Sequence, residues 1–397
     1  MHLRVPNIGD VAARSNGASA AMKFTADRTV LLKALAHVQS VVERRNTIPI
    51  LANVLLDAKK DGALTLTATD MEIAIVEEVP GVSVSRAGRT TAPAATLYEI
   101  VRKLPEGARI DFEQGGGDGA LALKAGRFAT SLMVLPVDDF PSMTEGKLPT
   151  AFSVGAGAMR ALVDQTRFAI STEETRYYLN GIYLHAADEA GAPVLRAVAT
   201  DGHRLARVQI DLPDGANAMP GVIIPRKTIA ELRKLIEETQ DDIAVKLSDT
   251  KIRFSFGTVH LTSKLIDGTF PEYDRVIPKG NDKVLTVEKK AFADAVQRVA
   301  AISSERSRPV KLTLQKGQLM LSANSPEQGQ AQEELEGDIV SYDAGPLEIG
   351  FQARYLADIT DQIGDKVEFR FSDGSAPTVV RDAAKPEALY VLMPMRV

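Results

Sequence analysis

The sequence predicts an α+β protein made of three tandem copies of one domain, each with two helices and a mostly antiparallel sheet. Three observations predict it. Three segments open alike, at Phe24-Thr25, Phe152-Ser153 and Leu285-Thr286. Seven residues after each opening apolar residue comes another large one (Leu31, Met159, Phe292), and four further on comes a third (Leu35, Val163, Val296). Those two positions lie one helical turn apart, on one helix face. The copies recur at a spacing of about 130 residues, too long for a solenoid unit and right for a whole domain. A tripled domain offers surface and interfaces rather than a reason to build one active site.

In the first copy, residues 23–26 read as a strand and Asp27 as the N-cap of a helix that turns Leu31, Leu35, Val38 and Val42 inward. Strands are expected at 54–58, 64–68 and 72–76, with Gly62 as turn punctuation between the first two. A second helix is expected over 96–104, after Pro93 and stopped by Pro105 and Gly107. Residues 109–113 alternate as a strand, and 127–135 form another that Pro136 ends. The second copy replays this with a helix after Val154, a second helix at 228–236 after Pro225, and an alternating strand at 243–247. The third has helices at 290–299 and around 355–359 and a strand at 367–371. Boundaries fall in 141–151 and 271–284, where Pro, Gly and charged residues separate the periodic segments. The expected domains are therefore 22–148, 149–280 and 281–397. Residues 1–21 read as a disordered leader, an expression extension or an upstream start.

Composition narrows the function. The 397 residues hold no Cys, which removes disulfides, Cys-ligated zinc, iron–sulfur clusters and thiol catalysis. The five His are scattered, with no pair at helical spacing and no HExxH, so no metal site is expected. No run approaches the roughly 18 apolar residues of a membrane helix. A net charge of −5 argues against a simple basic protein, yet basic residues concentrate on the expected helices: Lys33, Arg102, Lys103, Arg160, Arg167, Arg226, Lys227, Arg233, Lys234, Lys289, Lys290 and Arg298. They are either solvated faces or a weakly basic wall for phosphates, and composition alone leaves both open.

Two constellations stand out. Ala199-Thr200-Asp201-Gly202-His203-Arg204-Leu205-Ala206 places an Asp and a His two apart. With no Cys and no serine in a nucleophile elbow, Asp201-Gly202 reads better as a tight turn between strands than as acid–base machinery. The C-terminus, Tyr390-Val391-Leu392-Met393-Pro394-Met395-Arg396-Val397, is apolar to its end. It reads either as a last core strand or as a Met-rich surface for peptide ligands.

These segments, with 49–56, 176–181, 263–268 and 270–273, resemble the bacterial sliding clamps, the beta subunits of DNA polymerase III, over nearly the whole chain from Met22. The resemblance implies the DNA clamp fold and a head-to-tail homodimer: a six-domain ring with helices lining the hole, holding double-stranded DNA without sequence preference. It implies a non-catalytic, cytoplasmic processivity factor with no cofactor and no membrane contact. Its partners would be the polymerase III alpha subunit, the delta subunit of the clamp loader, repair polymerases and other proteins carrying a clamp-binding motif. The peptide pocket carries over to Leu179, Thr200, Gly202, His203, Arg204 and Leu205, to Pro271, Arg275 and Val276, and to Val391, Met393, Pro394, Met395 and Arg396. Ser375 and Pro377 stand where relatives carry other small or apolar residues. DNA contacts carry over to Arg45, Arg176, Tyr177 and Tyr178. Glu173 stands where some relatives carry an amide, and its carboxylate repels phosphate. The ring interface carries over to Phe128, Thr130 and Leu132 on one side, and to Ala301 and Ile302, at positions of larger apolar residues in the family, on the other. Two rival readings are a paralogous clamp with a modified pocket, for instance one conferring drug tolerance, and a hydrolase using Asp201 and His203.

Placing a charge in the apolar ring interface should open it. Ile302→Asp is expected to reduce the solution mass from twice the chain mass to once, as measured by light scattering.

Overall fold

The computed structural model describes residues 22–43, 47–115, 119–143, 146–237, 239–303 and 308–396. The expected leader at 1–21 and the loop residue Arg45 lie outside them. The chain forms two compact units. The first gathers the residues up to Lys147 with Arg253–Ser263, and the second gathers Leu148–Ile252 with the residues from Lys264 on.

The first unit carries helices α1 (Arg28–Val38) and α2 (Ala94–Lys103), which pack on each other. Asp27 caps α1, its Oδ1 accepting from the Thr29 amide at 2.8 Å, and Leu31, Leu35 and Val38 are buried. The helix ends at Val38 and a 3-10 turn over Gln39–Val41 follows. The tighter turn shifts the phase of the side chains, so Val41 is buried rather than the expected Val42.

A five-stranded antiparallel sheet runs in the order Ser83–Arg86, Met22–Asp27, Arg109–Gln114, Leu121–Ala125, Phe128–Leu132. Its inner face includes Phe24 stacked on Phe112 at 4.6 Å. A second antiparallel array runs from Gly88–Pro93 through Asn53–Ala58 and Leu64–Thr69 to Ile73–Val79, then Val259–Lys264. The last strand shows why 253–263 groups with the first unit. The strand expected over 127–135 is only Phe128–Leu132. Gly126 turns before it at φ +58°, and after it the Thr91 hydroxyl accepts from the Leu135 amide at 3.0 Å and donates to the Leu135 carbonyl at 2.8 Å. That clasp takes the chain off the sheet edge.

The second unit carries α3 (Ala156–Asp164) with α4 (Arg226–Leu235), and α5 (Lys289–Ala300) with α6 (Ala353–Thr360), each pair in contact. The repeated apolar positions all point inward: Met159, Val163, Phe292 and Val296 are buried like Leu31 and Leu35. Gly329–Glu336, Gln318–Ser325, Pro309–Gln315 and Leu347–Gln352 make a four-stranded antiparallel sheet. A nine-stranded sheet begins Val222–Pro225, Gly181–Glu189, Ala192–Thr200, Arg204–Asp211. It continues Lys385–Leu392, Thr378–Asp382, Lys366–Phe371, Lys283–Glu288, Val340–Tyr342. The join is the antiparallel pairing of Arg204–Asp211 with Lys385–Leu392, in the register Arg204↔Leu392 and Leu205↔Val391. Strands from the second and third copies thus share one ladder.

Asp27→Ala removes the α1 cap and is expected to destabilise the fold by about 1 kcal/mol, read as a lowered urea midpoint at unchanged slope.

Candidate functional site

The turn between Ala192–Thr200 and Arg204–Asp211 is built by its own polar side chains. Asp201 Oδ1 accepts from the amides of His203 and Arg204, both at 3.0 Å. Thr200 Oγ1 accepts from the Gly202 amide at 3.1 Å and donates to the Arg204 carbonyl at 2.7 Å. Gly202 sits at φ +88°, a left-handed backbone conformation that favours glycine; a Cβ there would lie 2.6 Å from Arg176 Nη1, the movable end of a long side chain.

Arg204 leaves this turn for the interior. It is 6 % exposed, and its guanidinium donates to Asp201 Oδ2 at 3.1 Å, to the Phe168 carbonyl at 2.7 Å and to Asp358 of α6. It also lies 4.4 Å from the Tyr355 ring centroid and 5.1 Å from that of Phe168. A buried guanidinium is tolerable only when its charge is paired and its N–H groups are bonded, and here both conditions hold. Arg204 therefore locks the turn to α6. Beside it opens a cavity of about 460 Å³, with His203, Arg226, Arg354 and Tyr355 in its wall.

The C-terminal segment is tied to this turn and to the strand Leu347–Gln352. The Met393 amide donates to the His203 carbonyl at 2.9 Å, and the Met395 amide to the Gly350 carbonyl at 2.9 Å. Leu179, Leu205 and Val391 are buried in one cluster with Val198, Ile223, Phe270 and Tyr273. Exposed groups flank members of this buried cluster along the chain. Met393 is 42 % and Val276 54 % exposed, Pro271 and Arg396 are exposed, and Pro394 and Met395 are half-buried. Arg275 is an exposed side chain ion-paired with Glu272. Asp201, with its carboxylate committed to two amides and Arg204, is a turn-former, while the exposed His203 ring stacks beside Tyr355 at 6.2 Å.

Among the residues expected to meet DNA, Tyr177 is 53 % exposed and packs edge-on against Tyr178 at 5.7 Å. Arg176 is held in a two-pronged pair by Glu173, at 2.9 and 2.7 Å, so its charge is already answered. The same holds along the helices. Arg102 pairs with Glu99, Lys234 with Glu231, Lys290 with Asp294 and Arg298 with Glu333. Two expected surface cations serve the fold instead: Arg160 donates to the Ile236 and Thr239 carbonyls past the end of α4, and Arg233 clasps Asp164. At the expected ring interface, Phe128–Leu132 is the edge strand of its sheet, with Phe128 42 % exposed, Thr130 half-buried and Leu132 buried. Ala301 is exposed and Ile302 half-buried.

Sequence reasoning did not single out Phe168 or Asp358. They lie 36 and 154 positions from Arg204 along the chain and meet it only through the fold. A lone Phe and a helix-face Asp carry no local signal of such a role.

Three repeats of a two-helix domain, the second and third joined through one strand ladder, define a clamp-type scaffold. Comparison with known proteins makes this specific. Family models of the DNA polymerase III beta subunit match the N-terminal domain over 22–144, the central domain over 153–272 and the C-terminal domain over 274–396. The beta sliding clamp of Caulobacter vibrioides is 53% identical over 377 residues, covering 95% of this chain and 100% of that protein. The Escherichia coli K12 clamp is 38% identical over 378 residues, covering 94% and 100%. Among solved structures, the C. crescentus beta sliding clamp superimposes with a TM-score of 0.92 at 53% identity, over 96% of this chain and 100% of that one. The Bartonella birtlesii sliding clamp bound to griselimycin gives 0.90 at 49% identity, over 95% and 100%. The chain belongs to the DNA polymerase III beta subunit family, the beta sliding clamps, and is a non-catalytic processivity factor.

Arg204→Met would strand Asp201 without its cation and leave Asp358 only the longer pair with Arg354 at 3.6 Å. We expect a loss of about 3–5 kcal/mol, measured by urea denaturation, that Arg204→Lys does not fully restore, because an ammonium cannot reproduce the fork.

Proposed function

We propose that two copies close head to tail into a ring around duplex DNA, through the edge strand Phe128–Leu132 of one copy and the surface near Ala301 and Ile302 of the other. The supporting observation is an unpaired strand edge carrying an exposed phenylalanine, which an obligate partner strand would cover. The domains of each copy are 22–148, 149–280 and 281–397. Arg45, Tyr177 and Tyr178 are the proposed contacts to the DNA backbone, while Arg176, its charge answered by Glu173, attracts it only weakly. Helix cations already neighboured by carboxylates attract phosphates weakly. Weak, sequence-independent contact is what a ring that slides requires, since topology rather than affinity keeps it on the duplex.

The groove floored by Leu179, Leu205 and Val391 takes the motif peptides of the polymerase alpha subunit, the clamp loader and repair polymerases. A buried Leu or Phe anchor contributes roughly 1.5–3 kcal/mol. Two or three anchors, less ordering costs, give affinities of about micromolar, which suits partners that exchange. The protein works in the cytoplasm, beside the replicating DNA; no helix among the described residues is long and apolar enough to cross a membrane.

The test is retention on DNA. Loaded by its cognate loader onto nicked circular DNA, the clamp is expected to stay bound at moderate salt and to be lost once the circle is linearised. Equal retention on both forms would mean ordinary binding and would overturn the ring.

A further inference from the structure

The segment 270–276 supplies Pro271, Arg275 and Val276 to the groove rim, and it is anchored by Phe270 and Tyr273, both buried in the groove-floor cluster. The Tyr273 hydroxyl ends in a directed chain of hydrogen bonds. Arg196 Nη1 donates to the Tyr273 oxygen at 3.3 Å, and that oxygen lies 3.0 Å from His185 Nε2. His185 Nδ1 lies 2.9 Å from the Ala186 carbonyl, which can only accept. The proton is therefore on Nδ1, Nε2 is a bare acceptor, and Tyr273 O–H donates to it. Arg196, 4 % exposed, is fixed in turn by Gln209 Oε1 at 2.8 Å and by Glu189.

A cavity of about 410 Å³ lies against the segment, with Tyr183, His185, Phe270 and Tyr273 in its wall. The ring stack of Tyr183 on Phe270, at 4.9 Å, holds one side, and the hydroxyl chain holds the other.

We propose that His185 and Arg196 are positioning residues for the peptide groove, holding the rim segment 270–276 through the Tyr273 hydroxyl. This rests on the groove being the peptide site. The device works only with neutral imidazole. A proton on Nε2 would face the Tyr273 oxygen with two donors and leave its hydroxyl hydrogen without an acceptor.

The charged groups around it pull in opposite directions. Arg196 from the adjacent strand Ala192–Thr200 opposes protonation, with Arg207 from the next strand beyond it; Asp274 on the segment favours protonation, and Glu189 on His185's own strand is taken up by the two arginines. Burial holds the His185 pKa below its ordinary value, against the hydrogen bond to the Ala186 carbonyl, with Arg196 adding to the lowering. For a base depressed in the fold, the anchoring is complete above the ordinary pKa of about 6.5 and is lost as pH falls through the lower folded value.

The test uses the full chain and a fluorescein-labelled pentapeptide ending in Leu-Phe. Wild-type affinity is expected to be constant from pH 8 to about 6.5 and to weaken below. Tyr273→Phe, which keeps the ring, is expected to weaken binding about two- to tenfold at pH 7.5. Both Tyr273→Phe and His185→Gln are expected to lose the acid limb. Nitrogen NMR of the wild type should show a protonated Nδ1 and a bare Nε2 at pH 7. If the wild type binds the peptide but Tyr273→Phe matches it in affinity and pH profile, or if Nε2 carries the proton at pH 7, the positioning role is overturned. If the wild type does not bind the peptide at all, the groove assignment itself falls.

Discussion

The pairing of Arg204–Asp211 with Lys385–Leu392 is the contact on which the rest of the groove depends. It joins strands that come from different copies of the repeat, so one ladder crosses the boundary between the second and third domains. The register sets Leu205 against Val391 and brings the Met393 amide to the His203 carbonyl. Arg204 fastens the end of the ladder by engaging Asp201, Asp358 and the Phe168 carbonyl at once. A buried charge is a costly fastener, but once paired it tolerates little displacement, which favours a single groove shape.

The polar chemistry is spent on shape rather than on reaction. Asp201, Thr200 and Gly202 form a turn, Arg160 covers carbonyls beyond α4, and Arg233 ties α4 to α3 through Asp164. The helix cations keep carboxylate neighbours, an arrangement that is nearly neutral at contact range and falls away within a Debye length. An acidic protein can carry such a lightly basic surface without gripping what it encloses. The proposed peptide groove is the opposite kind of site, where binding energy would come from burying a few apolar side chains.

Much of this was legible in the sequence because it is local or periodic. The apolar residues at +7 and +11 in each copy are all buried, and Asp27 caps its helix as its position before the apolar stripe implied. The Asp201-Gly202 turn was readable because an Asp side chain bonding amides two and three residues on is a short-range pattern. What was not legible is long-range. Nothing near Asp358 or Phe168 marks them as partners of Arg204, and Val259–Lys264 pairs with Ile73–Val79 although some 180 residues apart in a chain of 397. The inward turn at Val41 and the early end of the strand at Leu132 failed for smaller reasons: a 3-10 turn changed the period, and one threonine hydroxyl redirected the chain.

We propose that one inter-domain strand ladder builds a peptide groove. A crystal structure of the chain with a pentapeptide ending in Leu-Phe tests it most directly. The account predicts the peptide's apolar side chains seated against Leu179, Leu205 and Val391, under Met393, with the Arg204↔Leu392 register intact. Peptide bound on another surface, or in a groove formed after that ladder has separated, would contradict it.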